Sequence, residues 1–182
     1  MPEARHGDIE IDAWVAESVQ RALAFALTLV RTRADAEDIV QDCYERLLSK
    51  SKDYDLPKDG NRLLYRAIVN GCINWTQRRP PTVSLESTEE GIRSGGPTHR
   101  DGSLAGPDQR AMAHELAEAV AKAIAELPIT QRAAVELSSM GHSPTEIAEM
   151  LEVTHANARV LLHRGRQFLA ARLKPFLEEP VR

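Results

Sequence analysis

The sequence predicts an all-α protein: two small helical domains joined by a flexible linker, the second containing a helix-turn-helix. Three observations carry this. Apolar residues recur at three- and four-residue steps through most of the chain, while aromatics make up only 4 % and Val/Ile/Thr runs are scarce. The periodicity vanishes over Thr82–Pro107, where Ser, Thr, Gly, Pro and Glu dominate. Beyond it, Pro144–His163 carries the spacing of small and apolar residues that two helices crossing at close range require. At 182 residues the chain suffices for two small domains.

The first helix is expected over Asp12–Thr32, with Trp14, Val15, Val19, Leu23 and Leu27 in helical register. The second, Ala34–Lys50, places Ile39, Val40, Cys43, Tyr44, Leu47 and Leu48 on one stripe and Asp38, Gln41, Asp42 and Glu45 on the other face. Ser51–Gly60, polar and holding Pro57 and Gly60, is expected as a loop. A third helix over Asn61–Arg79 buries the line Leu64, Ile68, Cys72 and Trp75, and Pro80-Pro81 stops it.

Thr82–Pro107 cannot bury enough apolar surface to order itself and is too long for a loop inside a compact domain, so it reads as a mildly acidic tether. The expected organisation is a first domain at 1–81, a linker at 82–107 and a second domain at 108–182. The second domain opens with a helix from Asp108 to about Glu126, carrying Met112, Leu116, Val120 and Ile124. Pro128 introduces Ile129–Met140, which Gly141 ends. Pro144–Leu151 and His155–Leu173 complete it.

Those last two helices fit the helix-turn-helix template. Ala148 is the small residue at the crossing, Ile147, Leu151, Val153, Ala158 and Leu161 pin the pair, and Thr154 is suited to cap the second helix. With that helix in a major groove, Thr154, His155, Ala156, Arg159, Val160 and His163 face DNA, and Arg164, Arg166, Arg172 and Lys174 meet phosphates.

Net charge is −4, which by itself argues against nucleic acid, but the charge is segregated. Ala34–Asp59 holds eight acids and four bases, Asn61–Pro81 four arginines and no acid, and Val153–Leu177 five Lys/Arg and no acid. Different surfaces therefore suit different partners. Cys43 and Cys72 lack metal or redox spacing and read as small buried thiols, so neither a disulfide framework nor a metal is expected. No apolar run reaches the length of a membrane span and residues 1–12 are polar, so the expected address is the cytoplasm, without membrane insertion. Glu37, Asp38, Asp42 and Glu45 have helical spacing but no histidine at i+3 or i+4. With no phosphate-binding loop or nucleophile elbow either, no enzyme, catalytic residue or cofactor is expected.

Glu126-Leu127-Pro128, Gln131-Arg132, Gly141, Ser143, Glu146-Ile147-Ala148-Glu149, Leu151, Val153, Arg159, Leu162-His163-Arg164-Gly165-Arg166 and Leu169 together resemble region 4 of bacterial sigma factors. Asp35-Ala36-Glu37-Asp38-Ile39-Val40-Gln41-Asp42 with Leu47-Leu48 is similar to the polymerase-binding helix of region 2 in the same family. Leu64-Tyr65-Arg66-Ala67-Ile68-Val69-Asn70 with Trp75 and Arg78-Arg79 is similar to its promoter-melting helix. The two-domain layout is that of the extracytoplasmic-function (ECF) subgroup. Glu152 stands where the turn usually has Gly, Val160 and Leu161 where the family often has a polar and a basic residue, and Gly71 interrupts the melting helix.

The resemblance implies a factor for transcription initiation, with core RNA polymerase, promoter DNA and an anti-sigma protein as partners. It places polymerase binding on Asp38, Gln41, Asp42 and Glu45, minus-ten recognition and melting on Arg62, Arg66, Asn70, Asn74, Arg78 and Arg79, and minus-thirty-five recognition on the helix-turn-helix residues above. The loop before the melting helix would close over a flipped base. The alternative is a helix-turn-helix regulator that never joins polymerase, with Ala34–Lys50 as a dimerisation helix. A chain that keeps only the protein-binding role stays open as a third reading.

Overall fold

A computed structural model describes residues 3–30, 32–78 and 107–177. Seven helices occur among them: α1 Glu3–Leu29, α2 Arg33–Leu48, α3 Leu56–Arg78, α4 Pro107–Glu126, α5 Ile129–Ser139, α6 Pro144–Met150 and α7 His155–Leu177. Arg79, the Pro80-Pro81 stop and the linker up to residue 106 lie outside the described residues.

The first three helices pack around one apolar core. On α1 the fully buried line is Trp14, Ser18, Ala22, Phe25, Ala26 and Leu29, while Val15, Val19, Leu23 and Leu27 flank it half-buried. A serine can occupy that line because it is satisfied there: Ser18 Oγ donates to the Trp14 carbonyl at 2.6 Å and shares a 2.7 Å hydrogen bond with the Tyr44 hydroxyl. Thr32 caps α2, its hydroxyl accepting from the Asp35 N–H at 3.2 Å. Ile39, Val40, Cys43, Tyr44 and Leu47 turn inward as expected, and Leu48 is partly exposed.

The expected Ser51–Gly60 loop is shorter, because α3 already begins at Leu56. A proline in a first helical turn loses no hydrogen bond, so Pro57 does not delay the helix. Gly60 lies in the helix for a packing reason: a Cβ there would meet the Trp14 indole at 2.6 Å. Trp14 Nε1 also donates to Asn61 Oδ1 at 3.0 Å, fixing the start of α3 on α1. Gly71 has a similar origin, since its Cβ would lie 2.9 Å from Ile39 Cγ2. The helix accepts a weak former there so that α2 and α3 can close together. Burial among these helices pushes the Cys43 thiol up to about 11 and that of Cys72 to about 12, leaving both protonated at neutral pH.

In the second half, Ala133, Ala134, Leu137, Ile147, Met150, Ala158 and Leu162 form the buried centre. Ser143 and Glu146 make a reciprocal capping box at the start of α6: the serine hydroxyl accepts from the Glu146 N–H at 3.3 Å and the Glu146 carboxylate accepts from the Ser143 N–H at 2.8 Å. The Ser143 hydroxyl, 2.7 Å from the same carboxylate oxygen, and then the Ser143 N–H hold the Glu146 carboxyl below its ordinary range. On α4, Met112 and Leu116 are exposed and Val120 and Ile124 half-buried, so its apolar line is covered only towards its C-terminal end.

The two halves touch. Arg132 on α5 donates through Nη1 to the carbonyls of Thr28 and Leu29, at 3.1 and 3.3 Å, and through Nη2 to the Leu127 carbonyl at 2.9 Å. One cation therefore serves orphan carbonyls at the C-terminus of α1 and just beyond that of α4. The Tyr65 ring meets His142 edge-on at 5.6 Å, and α3 packs against α6.

Candidate nucleic-acid interface

The helix-turn-helix consists of α6, the turn at residues 151–154, and α7. Ile147, Ala148 and Ala158 are buried at the crossing as expected, whereas Leu151, Val153 and Leu161 are half-buried against that core. Met150 and Leu162 are buried too, and the sequence reading missed both; Leu162 lies one turn beyond Ala158 on the same stripe. The Thr154 hydroxyl accepts from the Asn157 N–H at 3.2 Å, capping α7. Thr154, His155, Ala156, Arg159, Val160 and His163 are all exposed, at the cap and over the first three turns of α7. Arg164 and Arg166 are exposed as well, although Arg166 rests on α5 through a 2.8 Å bond from Nη2 to Ser138 Oγ. Arg172 turns to Glu126 instead and lies over the Phe168 ring.

The turn itself holds an unusual backbone. Among the described residues, Glu152 is the non-glycine with positive φ, at 54°. An L-residue there costs roughly 1 kcal/mol relative to glycine.

On α3, Arg62, Arg66, Asn74 and Arg78 are exposed and Asn70 is half-buried, on the face opposite Leu64, Ile68 and Cys72. Guanidinium groups at helical spacing can hold phosphates, and the two amides can hydrogen-bond base edges. Part of this row is occupied by α6 and its turn. Arg62 Nη1 donates to Glu149 Oε2 at 2.7 Å, Arg66 Nη2 pairs with the Glu152 carboxylate, and Asn70 Nδ2 donates to Glu152 Oε2 at 3.3 Å. Neither glutamate stood out as a partner of this row from sequence. The available signal was two acids three residues apart, Glu149 at the end of α6 and Glu152 in the turn, just ahead of the acid-free α7.

On α2, Asp38, Gln41, Asp42 and Glu45 are exposed on one face, with Gln41 donating to Glu45 at 2.9 Å and Arg46 lying 3.9 Å from Asp42. This polar strip offers mainly acceptors and suits a basic partner. Among the described residues, no group of three or more His, Cys, Asp or Glu could hold a metal ion, and no helix is long and apolar enough to cross a membrane.

The family models for sigma-70 region 2 and for sigma-70, region 4 match residues 14–80 and 117–169 respectively. The chain is 26 % identical over 144 residues to the ECF RNA polymerase sigma factor SigW of Bacillus subtilis, covering 77 % of this chain and 76 % of that one. It is 26 % identical over 148 residues to the ECF RNA polymerase sigma-E factor of Escherichia coli K12, covering 79 % and 76 %. Its fold resembles that of the sigma factor RpoE in its complex with the anti-sigma factor NepR from Bartonella quintana, with a TM-score of 0.65 and 19 % identity over 90 % of this chain and 96 % of that one.

Proposed function

Because the chain belongs to the extracytoplasmic-function group of the sigma-70 family, we infer that it directs promoter-specific transcription initiation by joining core RNA polymerase and promoter DNA. The observation that carries this is the pairing, in one chain, of the region 2 match over α1–α3 with the helix-turn-helix of region 4. Its role is regulatory DNA binding, exercised in the cytoplasm where polymerase works. An anti-sigma protein is a further partner, as for the RpoE relative.

The roles divide by surface. The exposed acids and amide of α2, Asp38, Gln41, Asp42 and Glu45, dock on a basic polymerase surface. The α3 row, with Arg79 as its expected extension, holds and opens the minus-ten element. The outer face of α7 reads the minus-thirty-five element as duplex, with Arg164 and Arg166 on phosphates. The rival reading, a regulator independent of polymerase, needs α2 as a dimerisation helix. Its apolar stripe is already spent on α1 and α3, which leaves an acidic face that repels a second copy.

Run-off transcription with purified core polymerase tests the assignment: transcripts from a cognate promoter are expected only when this chain is added. Tight binding of the chain alone to a duplex site, with no polymerase-dependent product, would overturn it. Within that assay Arg159→Ala is expected to lower initiation about 5- to 150-fold on promoters with guanine at the contacted position, since a bidentate arginine–guanine contact is worth about 1–3 kcal/mol. Promoters already lacking that guanine should hardly respond. Equal activity of Arg159→Ala on every promoter would remove α7 from base recognition.

A further inference from the structure

We propose that the α3 row is an anion site with two mutually exclusive occupants: promoter DNA, and the carboxylates of α6 and the turn that follows it in the chain's own helix-turn-helix. The inference rests on the reading of α3 as the promoter-melting helix. In the free chain, Glu149 and Glu152 take the places that phosphate and base acceptors would take. Glu149 pairs with Arg62, while one carboxylate, that of Glu152, engages both Arg66 and Asn70. The pattern copies a nucleotide, an anion on the arginines with an acceptor for the amide one helical turn further on.

Glu152 makes the argument independent of charge alone. It is the position where the motif favours glycine, and it keeps a left-handed backbone, φ 54°, that glycine would adopt without strain. At that position its carboxylate is aimed across the cleft at α3. The cleft between the two halves is open, and its ion pairs are about half exposed, so they are weak and screened by salt. Such a closure is reversible: it holds the melting row out of use in the free chain and yields when polymerase separates the halves. The α7 face stays exposed throughout, so the occlusion is selective for the melting row.

Binding of the full-length chain to a fluorescent AT-rich single-stranded oligonucleotide, followed by anisotropy without polymerase, tests this. Glu149→Gln with Glu152→Gln is expected to bind about tenfold more tightly than wild type at low salt. The gap should shrink as salt rises and disappear when Arg66→Ala is added. Glu115→Gln with Glu118→Gln on α4 removes the same charge away from the cleft and is expected to change affinity less than twofold. Equal affinity of wild type and the turn variant, an equal gain from the α4 control, or no binding by any variant would each overturn the proposal. An affinity gap together with failed run-off transcription would remove the sigma reading and leave the occlusion standing. Successful transcription with no gap would remove the occlusion alone.

Discussion

Reversing Asp38 and Glu45 to lysine is expected to abolish co-purification with core polymerase while leaving the helical circular-dichroism signal unchanged. Both side chains are exposed on the α2 face opposite Ile39, Val40, Cys43, Tyr44 and Leu47, so the first-half core does not feel the change. The one local bond lost is that from Gln41 to Glu45, an exposed pair worth a few tenths of a kcal/mol. Across an interface the same reversal is costly, because close charge pairs couple by about 1.5–7 kcal/mol and each reversal turns attraction into repulsion. A fall in affinity of roughly a hundredfold or more follows, about 2.8 kcal/mol. Unchanged co-purification would show that polymerase docks elsewhere.

Changing Asn70 and Asn74 together to alanine should block promoter opening without preventing holoenzyme assembly. Extruding a base costs a few kcal/mol, and amides that capture its edge are what offset that cost. Losing both is expected to lower open-complex formation at least tenfold, read as lost permanganate reactivity of promoter thymines, with partial rescue on a template carrying a pre-melted bubble. Asn70 also touches Glu152 in the free chain. Its removal loosens that contact, so a melting defect could not be blamed on tighter closure. Normal melting of duplex promoter by the double variant would move the opening step to other residues.

Helix positions were legible in the sequence because three- and four-residue periodicity reports burial directly. What it could not resolve was rotation by one residue. On α1 the line through Val15 and Val19 looks the more apolar, yet Trp14 and Ser18 lie deeper, because Tyr44 on another helix satisfies the serine. The start of α3 was misread for a related reason: Pro57 and Gly60 look like loop residues until the Trp14 ring is seen to fill the space beside Gly60. Of the candidate interface, the exposed faces of α2, α3 and α7 followed from amphipathicity. The pairing of Glu149 with Arg62 and of Glu152 with Arg66 joins positions more than eighty residues apart, and no local pattern encodes a contact of that kind.

Gly71 gives the first half a mechanical property. A single absent carbon lets Ile39 of α2 sit against the α3 backbone, where even a methyl would clash at 2.9 Å. The helix assigned to hold the polymerase and the helix assigned to hold the melted strand are thereby set like the two jaws of a fixed-gap gauge. A larger residue at position 71 would leave every recognition group in place and still alter a length, the offset between where the enzyme grips this protein and where the strand is presented to it.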